Sequence, residues 1–98
     1  MSLSVIFQRA AKLEFLEASM WYESKRLGLG AEFIEEIERC ISRAAEFPSL
    51  YKVVHNDLRC VIANRFPYAI YFRQESQHIV ILAVFHSSRN PRSWQSRI

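Results

Sequence analysis

Residues 65–72 read Arg-Phe-Pro-Tyr-Ala-Ile-Tyr-Phe, and residues 78–85 read His-Ile-Val-Ile-Leu-Ala-Val-Phe. The second stretch is apolar at both odd and even positions, which is typical of a strand covered on both faces of its sheet. Pro67 cannot donate a hydrogen bond to a neighbouring strand, so we expect the chain to bend, bulge or pass an edge there. A strand over 68–73 and a polar turn over 74–77 then lead into the buried strand.

Two weaker β patterns precede this pair of strands. One covers 50–54 and the other 59–66, with the turn residues His-Asn-Asp between them at 55–57. A short alternating stretch over 3–7 predicts one further strand near the start of the chain. We expect that first strand to lie beside the apolar strand of residues 79–85, and its direction stays open.

Between Gln8 and Pro48 the apolar period is that of a helix. Two neighbouring apolar rows predict one long amphipathic helix with a wide apolar face: Leu13, Leu16, Met20 and Leu27, flanked by Ala11, Phe15, Ala18 and Tyr22. The segment Gly28-Leu29-Gly30 breaks this helix. A second helix follows, with its own apolar row of Phe33, Ile34, Ile37, Ile41, Ala44 and Ala45. The short break between the two predicts an antiparallel helical hairpin.

Grouped helices followed by grouped strands are typical of the α+β class. The predicted order is β-α-α-β-β-β-β, with the antiparallel helical hairpin packed on a mainly antiparallel, twisted sheet. The chain has 98 residues, of which 50% are hydrophobic and 23% are charged. These values suit one globular domain over 1–98 and exclude a disordered chain.

The two cysteines, Cys40 and Cys60, have no CxxC spacing. This pattern excludes a disulfide scaffold and a zinc ribbon, and it suits a reducing cytoplasm. We expect no metal site and no cofactor. The longest apolar run, 79–85, has seven residues, whereas a membrane helix needs about 20. We therefore expect no membrane span, and the N-terminal residues lack the basic and apolar regions of a signal peptide.

The charge of the chain is unevenly divided. Residues 1–46 carry six basic and eight acidic side chains, a net of −2, and residues 47–98 carry seven basic and two acidic, a net of +5. Ten of the 13 basic residues are arginine, whose forked donors bind phosphates and carboxylates. The basic C-terminal half therefore indicates an acidic partner, which is nucleic acid, an acidic protein segment, or both.

Short blocks of residues follow one another along nearly the whole chain. They are Ala10-Ala11 and Trp21-Tyr22-Glu23, then Gly28-Leu29-Gly30 with Phe33, Ile37 and Pro48, then Arg59, then 65–72, and finally 81–91 with Trp94 and Arg97. The most specific part is Phe-Pro-Tyr-x-Ile-Tyr followed by an apolar strand that ends in His-x-x-Arg-x-Pro. In these blocks the chain resembles the RelE/ParE superfamily of bacterial toxins, from type II toxin–antitoxin (plasmid stabilisation) modules.

The resemblance implies a small cytoplasmic toxin whose cognate antitoxin wraps around it and neutralises it. RelE-like members cut mRNA in the ribosomal A site, and ParE-like members have been linked to DNA gyrase. Since aromatic side chains are favoured anchors of interfaces, Trp21 and Tyr22 are the residues that we expect to bind the antitoxin. A homodimer of the free toxin and a heterotetramer with the antitoxin both stay open.

If the chain cuts RNA, the reaction needs groups that move protons and stabilise the phosphorane. The candidate catalytic residues are Arg59, Arg65, His86 and Arg89. On one regular strand, Arg59 and Arg65 would lie about 20 Å apart, which suits successive phosphates rather than a single one. His86 is the candidate acid or base, because imidazole exchanges protons near neutral pH.

Two departures from the RelE-like pattern favour the ParE-like branch. The lysine-rich segment of RelE-like enzymes is reduced here to Lys52, and no tyrosine follows Phe85. The tail is instead basic, and we expect it to contribute to a target-binding surface of Arg65, Arg89, Arg92 and Trp94. Three hypotheses follow: a ParE-like toxin that binds gyrase, a RelE-like ribosome-dependent RNase, and a non-toxic module that binds nucleic acid or protein.

Overall fold

The structure, a computed structural model, describes residues 2–90 and 92–95. Its elements are β1 (Ser4–Phe7), α1 (Arg9–Lys25), α2 (Leu29–Glu46), a 3-10 turn (Pro48–Leu50), β2 (Val53–His55), β3 (Leu58–Ile62), β4 (Tyr68–Glu75), β5 (His78–His86) and α3 (Arg92–Gln95). The two long helices pack on one five-stranded sheet. The predicted α+β class and the predicted order of the elements are confirmed.

The strands lie in the order β1-β5-β4-β3-β2. Strand β1 runs parallel to β5, and the other three neighbouring pairs are antiparallel. The predicted place of the first strand beside the apolar strand is therefore confirmed, and its direction is parallel. Residues 79–85 of β5 are all buried, as the continuous apolar run predicts for a strand covered on both faces.

A β-bulge in the β4–β5 pair changes which positions of β5 point to each face of the sheet. Tyr71 pairs with Ala83 and Phe72 pairs with Ile81, so Leu82 is the extra residue. Ile81 belongs to the core beneath the helices, whereas Leu82 and Ala83 belong to a second apolar cluster on the other face. The bulge thus re-aims the end of β5, where the chain leaves the sheet.

The two helices bury different kinds of side chain. In α2 the predicted apolar row is buried in the core except for Ile34, which is half-buried, and Phe33, Ile37 and Ile41 are its large core residues. In α1 the buried residues are small, Ala11, Ala18 and Ser19, with Phe15 and Tyr22 half-buried beside them. The other predicted row of α1, Leu13, Leu16, Met20 and Leu27, is exposed. The prediction of a wide apolar face was right, but only one side of it faces the sheet, since the small residues allow a closer approach.

Two predicted strand bounds are wrong. The segment 50–54 begins as the 3-10 turn, and its strand starts only at Val53. The segment 59–66 leaves the sheet after Ile62, because the buried carboxylate of Glu36 accepts the backbone N–H of Asn64 (N···Oε2 2.8 Å). That N–H is then lost to strand pairing, and residues 64–67 form a bend before β4.

A single carboxylate fixes the angle between α1 and α2. Glu23 accepts the backbone N–H of Gly28 and of Gly30, each at 2.9 Å. It thereby satisfies two of the N–H groups that the first turn of a helix leaves without partners. Gly28 has a φ of +88°, a conformation that glycine adopts without strain. The hairpin that results holds α1 against the end of β5.

Candidate binding cleft

A cleft of about 310 Å³ opens between α1 and the part of the sheet where β5 ends. The residues that line it are Glu14, Glu17, Ala18 and Trp21 from α1, Tyr68 from β4, Val84 and His86 from β5, and Arg89 from the following turn. The cleft brings His86 and Arg89, two candidate catalytic residues, together with Trp21, a candidate antitoxin-binding residue. It is open to a partner, since more than half of the surface of Trp21 is exposed.

Glu14 joins the two walls of the cleft. One of its carboxylate oxygens accepts the backbone N–H of Val84 (3.1 Å), on the edge of β5 beyond the last pairing with β1. The other oxygen forms an ion pair with the guanidinium of Arg89 at 3.7 Å. Arg89 also lies over the ring of Phe85, 4.1 Å from the ring centroid. These contacts hold the arginine at the mouth of the cleft with half of its side chain exposed.

His86 is held by the turn that follows it. Its Nδ1 accepts the backbone N–H of Ser88 (3.1 Å) and lies 2.7 Å from the Ser88 hydroxyl. In the neutral ring this arrangement leaves the proton on Nε2. The ring packs edge-on against Tyr68, with a centroid distance of 5.3 Å. The cleft therefore holds an oriented imidazole beside an arginine and a phenol.

The aromatic residues behind the cleft form one packed group. Tyr22 contacts Phe33, Phe66 and Tyr68 through its ring. Burial raises the pKa of the Tyr22 phenol. Burial and the neighbouring Tyr22 raise the pKa of Tyr68, and Arg89 opposes that shift. Tyr22 is thus mainly a core residue, whereas its neighbour Trp21 has more than half of its surface exposed.

The structure does not bring Arg59 to the cleft. Arg59 lies on β3, where its guanidinium donates to the backbone carbonyl of Tyr51 at 2.7 Å. It pairs with Phe72, whereas His86 pairs with Tyr68. Four positions along β4 and two strand spacings therefore separate Arg59 from His86, roughly 17 Å in a regular sheet. Arg59 stabilises the edge of the sheet near the 3-10 turn.

Arg65 lies in a third place, and the prediction that it shares a strand with Arg59 is wrong, since β3 ends at Ile62. Its guanidinium forms a 2.6 Å ion pair with Glu32, which also pairs with Arg26. These two arginines lower the pKa of the Glu32 carboxyl. Arg65 is nevertheless exposed over 57% of its side chain, so it is accessible to a partner while it is paired.

The remaining predicted residues follow β5. Arg92 is exposed at the start of α3, and its backbone N–H is accepted by the Asn90 side chain at 3.0 Å. The side chain of Trp94 lies outside the described residues.

Over the described part of the chain, no group of three or more His, Cys, Asp or Glu residues could hold a metal ion. No helix in that part is long and apolar enough to span a membrane.

A comparison with protein families shows the family to which this chain belongs. The family described as "ParE toxin of type II toxin-antitoxin system, parDE" matches residues 5–91. The chain belongs to this family. It is therefore a ParE-like toxin of a type II toxin–antitoxin module, and the expected resemblance is confirmed in its ParE-like branch.

A solved structure shows that the fold is shared. A chain of the "Chromosomal ParDE TA system from P. aeruginosa" superposes with a TM-score of 0.73 at 16% sequence identity. The match covers 87% of this ParE-family chain and 96% of the other. A search of curated proteins found no match. The ParE relationship implies an antitoxin as a partner.

The two acidic residues of the cleft in this ParE-family chain, Glu14 and Glu17, were not among the site residues predicted from sequence. A signal for Glu14 was available, because it lies on the same side of α1 as Ala11 and Ala18 by helical spacing. A carboxylate between two buried alanines is unusual unless it has an internal partner. Glu17 gave no such signal, since an exposed glutamate on a helix is ordinary.

Proposed function

We propose that this toxin arrests growth in the cytoplasm by binding a protein target, that DNA gyrase is that target, and that a cognate antitoxin neutralises it. Family membership supports the toxin assignment, and the ParE-like resemblance supports gyrase. The observation that carries the choice of a binding function is the separation of the candidate catalytic cations. Arg59, Arg65 and the His86–Arg89 pair lie in three places, and each has an internal partner.

The separation matters because cleavage of one phosphodiester requires several groups around the same phosphorus atom. Binding a protein surface has no such requirement, since exposed arginines and aromatic anchors can act at separate points of one interface. Arg65, Arg89 and Arg92 are all exposed at least in part. Together with Trp94 they are the residues that we propose to bind the target.

The cleft is the place that we propose for the antitoxin. The exposed indole of Trp21 lies at its entrance, and Tyr22 supports the wall behind it. An antitoxin segment seated there would cover His86 and Arg89. Neutralisation would then follow because part of the target-binding surface is masked.

The experiment that tests the proposal is a supercoiling assay with purified gyrase, relaxed plasmid and the purified toxin. We expect loss of supercoiling, and recovery when the protein encoded beside the toxin is added in equimolar amount. Arg89→Glu should weaken the inhibition at least 10-fold, because reversing a charge at an interface typically costs more than deleting it. Arg43→Glu, which changes an exposed arginine on α2 away from the cleft, is the matched control. Full supercoiling activity at every toxin concentration would rule out gyrase as the target.

A second function is favoured by one observation. The cleft does hold an imidazole, a guanidinium, a phenol and the carboxylate of Glu17 within one cavity, which are the residue types of RelE-like mRNA cleavage. Mapping 5′ ends of cellular mRNA within minutes of induction separates the two functions. New ends at codon-related positions, lost in His86→Ala, would make the chain a ribosome-dependent RNase. Growth arrest with intact messages agrees with the gyrase proposal.

A further inference from the structure

The outward side of α1 is explained by neither the core nor the cleft. Leu13, Leu16 and Met20 lie there, with 49%, 45% and 70% of their surfaces exposed. The side of the same helix that faces the sheet carries the buried Ala11 and Ala18. Large apolar side chains in a row on the solvent side of a helix mark an interaction surface. We refer to Leu13, Leu16 and Met20 as the α1 ridge.

The spacing of the α1 ridge is that of a contact between two helices. Three and then four residues separate its members, which makes Leu13, Leu16 and Met20 the a, d and a positions of a heptad. Lys12 is then a g position and Glu17 is an e position. Both side chains are exposed, and within the described residues neither takes part in an intramolecular ion pair.

The opposite charges of Lys12 and Glu17 favour a second copy of this chain as the partner, with the two α1 helices parallel. In a parallel pair of identical helices, each g residue faces the e residue five positions further along the other helix. Lys12 of one copy then faces Glu17 of the other, twice by symmetry. In an antiparallel pair with the two ridges aligned, Lys12 and Glu17 would lie on opposite sides of the contact and could not pair, and the two Glu17 side chains would lie near each other, which is repulsive. We propose that the α1 ridge is a parallel, two-fold symmetric contact between two copies of this chain.

The length of the ridge sets the strength of this contact. It is bounded by two charged residues at the neighbouring d positions, Arg9 and Glu23, and the Glu23 carboxylate is already engaged with the first turn of α2. Each copy contributes three apolar residues from the ridge, far fewer than the roughly 20–30 residues a side of a stable interface. The dimer is therefore weak and depends on concentration.

Sedimentation equilibrium of the purified full chain, from micromolar to submillimolar concentration, tests the proposal. We expect a monomer–dimer equilibrium that Met20→Asp abolishes, because the change places a charge between the ridges. Lys12→Glu and Glu17→Lys should each weaken the dimer about 10-fold through two like-charge contacts. The double variant, which exchanges the two charges, should recover the original affinity.

Two controls keep the test specific. Glu35→Lys makes the same change of charge at an exposed position of α2 and should leave the dimer unchanged. The far-ultraviolet circular dichroism of each variant shows whether it is folded. A chain that stays monomeric throughout, a dimer that survives Met20→Asp, or a double variant no stronger than the single ones would each overturn the proposal. None of these outcomes depends on whether gyrase is the target.

Discussion

At the scale of single residues, the two glycines of the hairpin are required for different reasons. A Cβ on Gly30 would lie 2.6 Å from the backbone carbonyl oxygen of Ser19 and 2.9 Å from Oε1 of Glu23. The first contact is with backbone, which cannot move without separating α1 from α2. A Cβ on Gly28 would meet nothing within 4 Å, but the φ of +88° is strained for any other residue. Gly30 is therefore required because no side chain fits there, and Gly28 is required because its backbone conformation is strained for other residues.

Gly30→Ala is expected to lower the free energy of unfolding by about 1–3 kcal/mol, as overpacking does in other tight contacts. Urea denaturation followed by circular dichroism measures this change. Gly28→Ala is the comparison, with a cost of about 1–2 kcal/mol from backbone strain alone. The cause of the lost stability should also differ between the two variants, because only Gly30→Ala places an atom against the Glu23 carboxylate. Gly30→Ala with unchanged stability would show that the two helices can separate at little cost.

Cys60 provides a residue-scale prediction about pH. Burial raises the pKa of the Cys60 thiol to about 11 from an ordinary 9.0, and a hydrogen bond with Tyr71 opposes the shift. At pH 8.5 the thiolate is therefore about 100-fold scarcer than in an unfolded chain, and alkylation by iodoacetamide should slow accordingly. Peptide mass spectrometry after timed labelling measures this rate, with the chain in urea as the control.

The same pKa shift has a definite sign for stability. Below about pH 8 the Cys60 thiol is almost wholly neutral in both the folded and the unfolded chain, so it contributes no pH dependence. Between about pH 9 and pH 11 only the unfolded chain loses the proton, and stability falls as the pH rises. Labelling of Cys60 in the folded chain as fast as in urea would contradict the burial on which both expectations rest.

At the scale of elements, α1 shows what the sequence could and could not predict. Its bounds, its breaking segment and its partner α2 follow from apolar spacing and two glycines. The side that it turns to the sheet does not follow, because apolar residues surround most of the helix and hydrophobicity favours both sides. Packing distance decides, since Ala11 and Ala18 let the helix approach the sheet where Leu13 and Met20 would not.

The end of β3 shows the same limit for the candidate site. Alternation of side chains continues through Arg65, and so the pattern alone extends the strand. The strand stops because Glu36, distant in sequence, accepts the Asn64 N–H. Part of the cleft could be predicted from sequence, because His86 and Arg89 are close along the chain. The position of their neighbour Glu14 could not, because it lies on α1, 70 residues before the Val84 that it contacts. Such pairings depend on tertiary structure.

At the scale of the whole molecule, the acidic and basic halves of the sequence form different parts of the fold. The acidic first half forms the hairpin and the basic second half forms most of the sheet. Ion pairs cross the boundary between the halves, from Glu32 to Arg65 and from Glu14 to Arg89. Arg73 is paired within the sheet half, with Glu75. Internal partners thus partly neutralise the arginines that the sequence offers to an acidic ligand.

This neutralisation leads to a prediction about nucleic acid. Four free arginines on successive phosphates would make the affinity for single-stranded RNA fall roughly 100-fold between about 50 and 200 mM salt. With two of those arginines held by Glu32 and Glu14, about two phosphate contacts remain, and the fall should be less than about 10-fold. Fluorescence anisotropy of a labelled RNA at the two salt concentrations measures it. The double variant Glu14→Gln with Glu32→Gln frees both arginines, and its salt dependence should become steeper. A fall near 100-fold in the unaltered chain would instead mean that RNA displaces these internal carboxylates, which favours the RNase function over binding to gyrase.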